Sequence, residues 1–153
     1  MKKLGVPLFL NLLMRSLFIQ GSFSGKYRQN IGFAFCLTPV GKRLYPDCDD
    51  WQAFLRRHTD YYNGNPFMTP LVLGSVTRME EMLHDGENVN EKDISNFKKA
   101  VGAATGSVGD RLFWSTLRPF GITIGILGAC ILGAGGAFVL LAAFNIPNMV
   151  MRW

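Results

Sequence analysis

Charge is missing from a long stretch near the end of this chain. Between Pro119 and Met151 there is no Asp, Glu, Lys or Arg, and a stretch so long and bare can hold a membrane-spanning helix of about 20 residues. Other absences narrow the chemistry. The three cysteines, Cys36, Cys48 and Cys130, fit no metal-ligand or redox spacing. Two of them sit in apolar runs, where cysteine behaves as a small hydrophobe. No Ser/His/Asp order or Cys/His pairing suggests a nucleophile, and no Gly-Lys-Ser/Thr follows a glycine-rich stretch, which removes the P-loop reading. The formal net charge is +5, yet the basic residues are spread along the chain with no nucleic-acid motif, so nucleic acid is not an expected partner. No metal or cofactor is expected, and no internal repeat or low-complexity tract is evident.

What is present points to lipid. The 153 residues make room for one modest domain, taken as 1–153. Mean hydropathy is +0.15, with 48% hydrophobic residues, 17 glycines and 12 phenylalanines, and glycine is better tolerated in membrane helices than in water-exposed ones. Charges crowd into Lys42–Tyr62 and Arg78–Lys99, the pattern of lipid-embedded segments joined by polar connections. In the uncharged run, Gly121 and Gly125 form a small-xxx-small pair that lets helices approach closely. Gly135–Gly136 marks a possible break, so one tilted span and a re-entrant hairpin both fit. Arg152 and Trp153 close the run as an interfacial cation and aromatic.

Two further apolar runs, Ile31–Val40 and Phe67–Thr77, are too short to cross alone. Each reads as a buried helix or a re-entrant piece whose backbone groups need other protein around them. At the amino end, Lys2 and Lys3 followed by Leu4–Met14 mimic a signal peptide. Arg15 interrupts the run and no A-x-A-like site follows, so a retained amphipathic or partly buried helix is expected.

Two helices have aqueous character. In Asp49–Tyr62 the residues Trp51, Phe54, Leu55, His58 and Tyr62 share one face, with Arg56, Arg57 and Asp60 elsewhere on the surface. Asn63-Gly64-Asn65-Pro66 then stops the helix. In Asn90–Val101, Asn90 is the expected N-cap with Asp93 three residues on, and Lys98 and Lys99 sit in its last turns, favourable for the helix dipole.

Candidate chemistry is sparse. His58 lies on an apolar helix face and His84 in a solvated acidic turn, and a histidine alone is a weak signal. Glu80 and Glu81 point about 100° apart on a helix, which suggests one buried and one solvated. Gly102–Asp110 reads as a close-packed bend between helices. A carboxylate beside an apolar span is costly unless paired or functional, and by sequence the nearest partners of Asp110 are Arg111 and Arg118; a helix-capping Asp110 is the plainer alternative.

The residues become specific when taken in order. Arg15-Ser16, Gln20-Gly21-Ser22-Phe23, Gln29, Gly32-Phe33, Leu44-Tyr45-Pro46, Arg57-His58, Asn63, Pro66-Phe67, Gly74 and Met79-Glu80-Glu81 are followed by Val108-Gly109-Asp110, Phe113-Trp114, Thr116, Arg118-Pro119 and Phe144-Asn145. This order and spacing resemble the IID subunits of mannose/fructose/sorbose-family phosphoenolpyruvate-dependent sugar phosphotransferase systems (PTS). The resemblance implies an all-α integral membrane protein with broken or re-entrant hydrophobic segments and amphipathic connecting helices, in the bacterial cytoplasmic (inner) membrane. It implies a non-catalytic subunit that pairs with IIC to translocate a hexose or amino sugar, which IIB, charged through IIA, phosphorylates. Asn63, Glu80 and Asp110 are then expected at the IIC interface or sugar pathway. Gly106 and Gly109 are expected to permit close packing, and Trp114, Arg118 and Pro119 to fix the following helix.

Three features depart from the family pattern. The polar-aromatic stretch after Phe23 reads Ser24-Gly25-Lys26-Tyr27, Arg111 stands where proline is common after Gly-Asp, and family members continue well past the point matching Trp153. A shortened variant, a piece of a split subunit or a non-transporting remnant that binds helical partners is the competing expectation.

Overall fold

The structure is a computed structural model and describes residues 5–152; Lys2, Lys3, Leu4 and Trp153 lie outside the described residues, as does the side chain of Arg152. Among the described residues there is no strand. The helices are α1 (Val6–Ser16), α2 (Asn30–Leu44), α3 (Cys48–His58), α4 (Thr69–His84), α5 (Glu91–Gly109), α6 (Arg118–Leu132) and α7 (Gly136–Arg152).

Local chemistry sets most of the helix ends. Pro7 and Pro70 stand in the first turns of α1 and α4, where the missing N–H costs nothing. Asp49 and Asp50 open α3 while Arg56 and Arg57 lie in its last turn, each sign at the end the helix dipole favours. Asn90 and Asp93 form a reciprocal capping box at α5. Pro39 lies inside α2, so the carbonyl of Phe35, four residues earlier, has no amide to accept from. The Arg15 guanidinium fills the gap, donating to the Phe35 oxygen at 3.0 Å, and this ties α1 to α2 at a helix defect.

The α1–α5 body encloses an apolar core of Leu12, Ile19, Phe33, Leu37, Val40, Phe54, Tyr62, Val72, Leu73, Val76 and Ile94. Tyr62 enters it by another route than the sequence suggests. Helix α3 ends at His58, and Tyr62 returns on an extended segment whose carbonyl accepts from Gln29 N. The ring then packs 4.2 Å from Phe33, and its hydroxyl meets Thr69 at 3.2 Å. Gly32 is indispensable here, since a Cβ would collide with the Ile19 carbonyl.

Two expectations need correction. Helix α5 does not end near Val101, so Lys98 and Lys99 occupy its middle. Gly102–Gly109 makes no bend: α5 passes through a wider i→i+5 turn over Asp110–Leu117 directly into α6. The glycines in it instead form a smooth face against the Tyr62–Asn65 segment. The resulting rod, α5 through α6, is roughly 60 Å long at ~1.5 Å per residue.

The uncharged run is a hairpin. Gly133 takes φ +57° and ψ −127°, backbone space that only glycine enters readily. After this turn α7 folds back along α6, with Gly121 against Phe144, Gly125 against Leu140, Gly128 against Val139 and Gly136 against Ala129. At Gly125 a Cβ would stand 2.6 Å from that of Leu140, so the glycines let the limbs touch. The run has the apolar composition of a membrane segment, and almost all of it stays uncovered.

Candidate functional site

Two polar constellations carry the site candidates, one sealed inside the body and one at the root of the hairpin. The sealed one centres on Glu80, which has no exposed surface. It is reached by α3, where Arg57 donates from Nε and Nη2 at 2.8 and 2.9 Å. His58 Nε2 stands 2.9 Å from the same carboxylate, and the Tyr45 hydroxyl donates at 2.9 Å. Arg57 also pairs with Glu91 at 2.7 Å, linking α3, α4 and α5 through one guanidinium. Lys98 is buried beside them and donates to the Arg57 and Asp60 carbonyls at 2.7 and 3.4 Å, serving an orphan acceptor in the last turn of α3 and another just past its end.

Electrostatics here follows from burial and pairing. Burial alone would raise the Glu80 carboxyl, but the hydrogen bonds from His58 and Arg57 outweigh it and hold the group at about 2. Burial pushes His58 down against the pull of Glu80, so the ring is neutral and its Nε2–H donates. That tautomer leaves a lone pair on Nδ1, which has no partner; a buried unpaired N–H in its place would cost more. Burial likewise lowers Lys98 to about 8. Desolvation and then the Glu80 charge push the Tyr45 hydroxyl above its ordinary range.

The second constellation joins the body to the hairpin. Asn65 is buried; its Oδ1 accepts from Phe67 N at 3.0 Å and its Nδ2 donates to Asp110 Oδ1 at 2.9 Å. The Asn65 carbonyl starts α4 by accepting from Met68 and Thr69. Gly109 packs so closely on this side chain that a Cβ there would overlap it, whereas Gly106 keeps ordinary distances to Gly64 and Asn63. Below the junction Phe67 touches Phe113, Trp114 and Phe144, and the Arg118 guanidinium lies 5.6 Å from the Trp114 ring centre. Pro119 stands in the first turn of α6.

The structure brings only some of the singled-out residues together. Asn63 and Asp110 are both exposed, on neighbouring parts of the hairpin root, while Glu80 has no exposed surface and sits in the buried cluster. Arg111 and Arg118 do not pair with Asp110 among the described residues; its partner is Asn65. Nor does Asp110 cap a helix start, because the backbone on both sides is helical. Glu80 and Glu81 do divide into a buried and a partly exposed residue. Sequence reasoning missed Asn65, Arg57, Lys98 and Tyr45. The signal available for Asn65 was its place in Asn-Gly-Asn-Pro, where asparagine favours a turn bonded to its own backbone.

Chemically, the junction offers an exposed carboxylate fixed by a buried amide, with a second exposed amide nearby. Such groups bond hydroxyls or the polar ends of partner helices. The sequence profile described as "PTS system mannose/fructose/sorbose family IID component" matches residues 6–153. The chain belongs to this IID family. It is 30% identical to the mannose-specific EIID component of Escherichia coli, over 99% of this chain and 54% of that protein. Identity is also 30% to the fructose permease IID component of Bacillus subtilis and to the sorbose-specific EIID component of Klebsiella pneumoniae, covering 96% and 99% of this chain and 54% and 56% of theirs. A solved structure of the mannose transporter ManYZ in complex with a microcin is similar at a TM-score of 0.91 and 30% identity, over 99% of this chain and 56% of that one. This IID chain therefore spans about half the length of the relatives it matches. It is an all-α membrane protein of the sugar PTS IID family.

Proposed function

We propose that this IID chain pairs with a IIC-type subunit in the bacterial cytoplasmic membrane and supports translocation of a hexose or amino sugar. The observation that carries the reading is the uncovered α6–α7 hairpin, rooted beside Asp110. Its limbs of 15 and 17 residues are about 22 and 25 Å long, short of a ~30 Å hydrocarbon core. A hairpin that enters and returns to the same side fits these lengths, and its apolar faces need lipid and partner helices. Asp110, held by Asn65, and Asn63 supply polar contacts to IIC or to sugar hydroxyls at the hairpin root. Glu80, being sealed, acts through the positions of α3, α4 and α5 and touches neither. Phosphoryl chemistry belongs in this reading to IIA and IIB; the burial of His58 supports that division.

Co-purification tests the proposal. The tagged chain, expressed in its own host and extracted in mild detergent, is expected to elute with a stoichiometric IIC-like protein, and Asp110→Ala to reduce sugar uptake while leaving membrane insertion intact. Elution without such a partner would contradict the pairing. A partner retained with no dependence of uptake on this chain would make it a membrane interaction protein.

A further inference from the structure

Helix α1 has two apolar sides, and the body covers only one. Leu12 and Ser16 are buried toward α2 and α4. Val6, Leu10, Met14 and Leu17 fall within an ~80° arc on the other side at ~100° per residue, and all four are exposed, Val6 by 72% and Met14 by 62%. Phe18 and Phe23 on the following segment and Ile31 and Phe35 on α2 are exposed as well. An exposed apolar patch of this extent marks an interaction surface.

The charge along this part of the sequence has one sign. From Met1 to Pro46 the chain carries seven Lys or Arg and no Asp or Glu. Three of these cations are seated on exposed aromatic rings: Arg15 lies 4.5 Å from the Phe35 ring centre, Lys26 5.0 Å from Tyr27 and Arg28 5.6 Å from Phe23. Exposed apolar side chains, cations and aromatic rings on a segment with no Asp or Glu of its own match the headgroup layer of an anionic bilayer, and the nearby Asp60 of the paired Tyr62 segment is neutralised by Lys99 at 2.7 Å. An 11-residue helix of about 16 Å cannot cross, but it can lie in that layer.

Its place in the fold agrees. Phe9 of α1 and Met151 at the end of α7 line one cleft of about 610 Å³, so α1 lies beside the open end of the hairpin, opposite the Gly133–Gly135 turn. With the turn in the acyl region, the open end stands at headgroup depth, and α1 stands there with it.

We infer that α1 and the Phe18–Phe35 segment form a second membrane contact, an in-plane anchor lying on anionic phospholipid beside the hairpin. This rests on the reading that the hairpin enters the bilayer, and the test separates the two. The full chain, with Cys48 and Cys130 replaced by serine and alanine, is reconstituted in nanodiscs of phosphatidylcholine with phosphatidylglycerol. Nitroxide labels are placed singly at Leu10, Met14, Ala134 and Lys92. Leu10 and Met14 are expected to be several-fold more shielded from a water-soluble nickel relaxant than Lys92, and open to oxygen. In phosphatidylcholine alone, or with Lys26→Gln and Arg28→Gln, that shielding is expected to fall several-fold. Nickel access equal to that of Lys92 would overturn the anchor, whatever Ala134 shows, and shielding from both relaxants would mean a protein partner covers the face. Shielding that ignores lipid charge would overturn the anionic assignment. An aqueous Ala134 would overturn the insertion of the hairpin instead.

Discussion

The body and the hairpin solve the problem of buried polar groups in opposite ways. The body takes Glu80, Arg57, His58 and Lys98 out of water and gives them one another and the carbonyls at the end of α3 as partners. The hairpin carries no charge between Pro119 and Met151; its few side-chain amides and hydroxyls bond back to its own helix, as Thr123 does to Pro119 and Asn145 to Leu141. Its limbs meet over glycines, with Gly121 and Gly125 the buried residues of α6. A core of large side chains gains from leaving water, whereas helices in lipid gain no such drive and depend on close backbone approach. One region is thus built to hold itself together and the other to be held by its surroundings.

That contrast makes separable predictions. The largest effect is expected inside the body: Glu80→Ala leaves Arg57 buried without its main partner, a loss of about 3–5 kcal/mol for a broken buried pair. Thermal unfolding in mild detergent would show it as a large drop in midpoint, with hairpin contacts kept. A pH series sharpens the point. The Glu80 carboxyl is held at about 2 against an ordinary 4.5, so its stabilisation is complete above about 4.5 and is lost as pH falls toward 2. His58, lowered from 6.5, acts in the same direction from a higher pH, because the unfolded ring takes a proton that the folded ring resists. Wild type should therefore lose stability on acidification from about 6.5 downward, and Glu80→Gln should flatten the part below 4.5.

Next comes the hairpin. Gly125→Leu overpacks the α6–α7 contact, where typical costs are about 1–3 kcal/mol; the limbs should splay while the body melts as before. Limited proteolysis at the Gly133–Gly135 turn would reveal the first effect and near-ultraviolet circular dichroism the second. At the junction, Asn65→Ala removes the side-chain acceptor of the half-buried Phe67 amide, worth about 1 kcal/mol, and frees Asp110. Gly109→Ala should mimic it by displacing Asn65, while Gly106→Ala should be tolerated. The smallest shift is expected at Asn90→Ala, about 1 kcal/mol from loss of the cap, read from the unfolding midpoint.

Much of this was legible wherever the cause is local. The capping box at Asn90, the division of Glu80 from Glu81, and the apolar run with its paired glycines all follow from residues within a few turns of one another. The long-range partners were not. Arg57 looks like one more solvated cation beside Arg56 until α4 brings Glu80 to it from 23 residues away. Asn65 looks like turn punctuation until Asp110 arrives from 45 residues on. Lys98 and Lys99 read as the end of a helix because glycine usually weakens one. Packing against Tyr62 and Asn65 overrides that preference and requires the absence of a Cβ at Gly109. The wider turn at Asp110–Leu117 has no distinct sequence signal, though Thr116 marks it by bonding the Arg111 carbonyl five residues back.

The fold-back of α7 on α6 is the point on which the account rests, and one cross-link tests it. A Cβ at Gly121 would lie 3.6 Å from the Cβ of Phe144, inside the range a disulfide requires. With Cys48 and Cys130 replaced, the Gly121→Cys, Phe144→Cys chain is predicted to close an intramolecular disulfide in membranes under mild oxidation, blocking thiol alkylation until reductant is added. In one straight span the two positions would stand roughly 34 Å apart at ~1.5 Å per residue. Both thiols staying open to alkylation in intact membranes would contradict the hairpin.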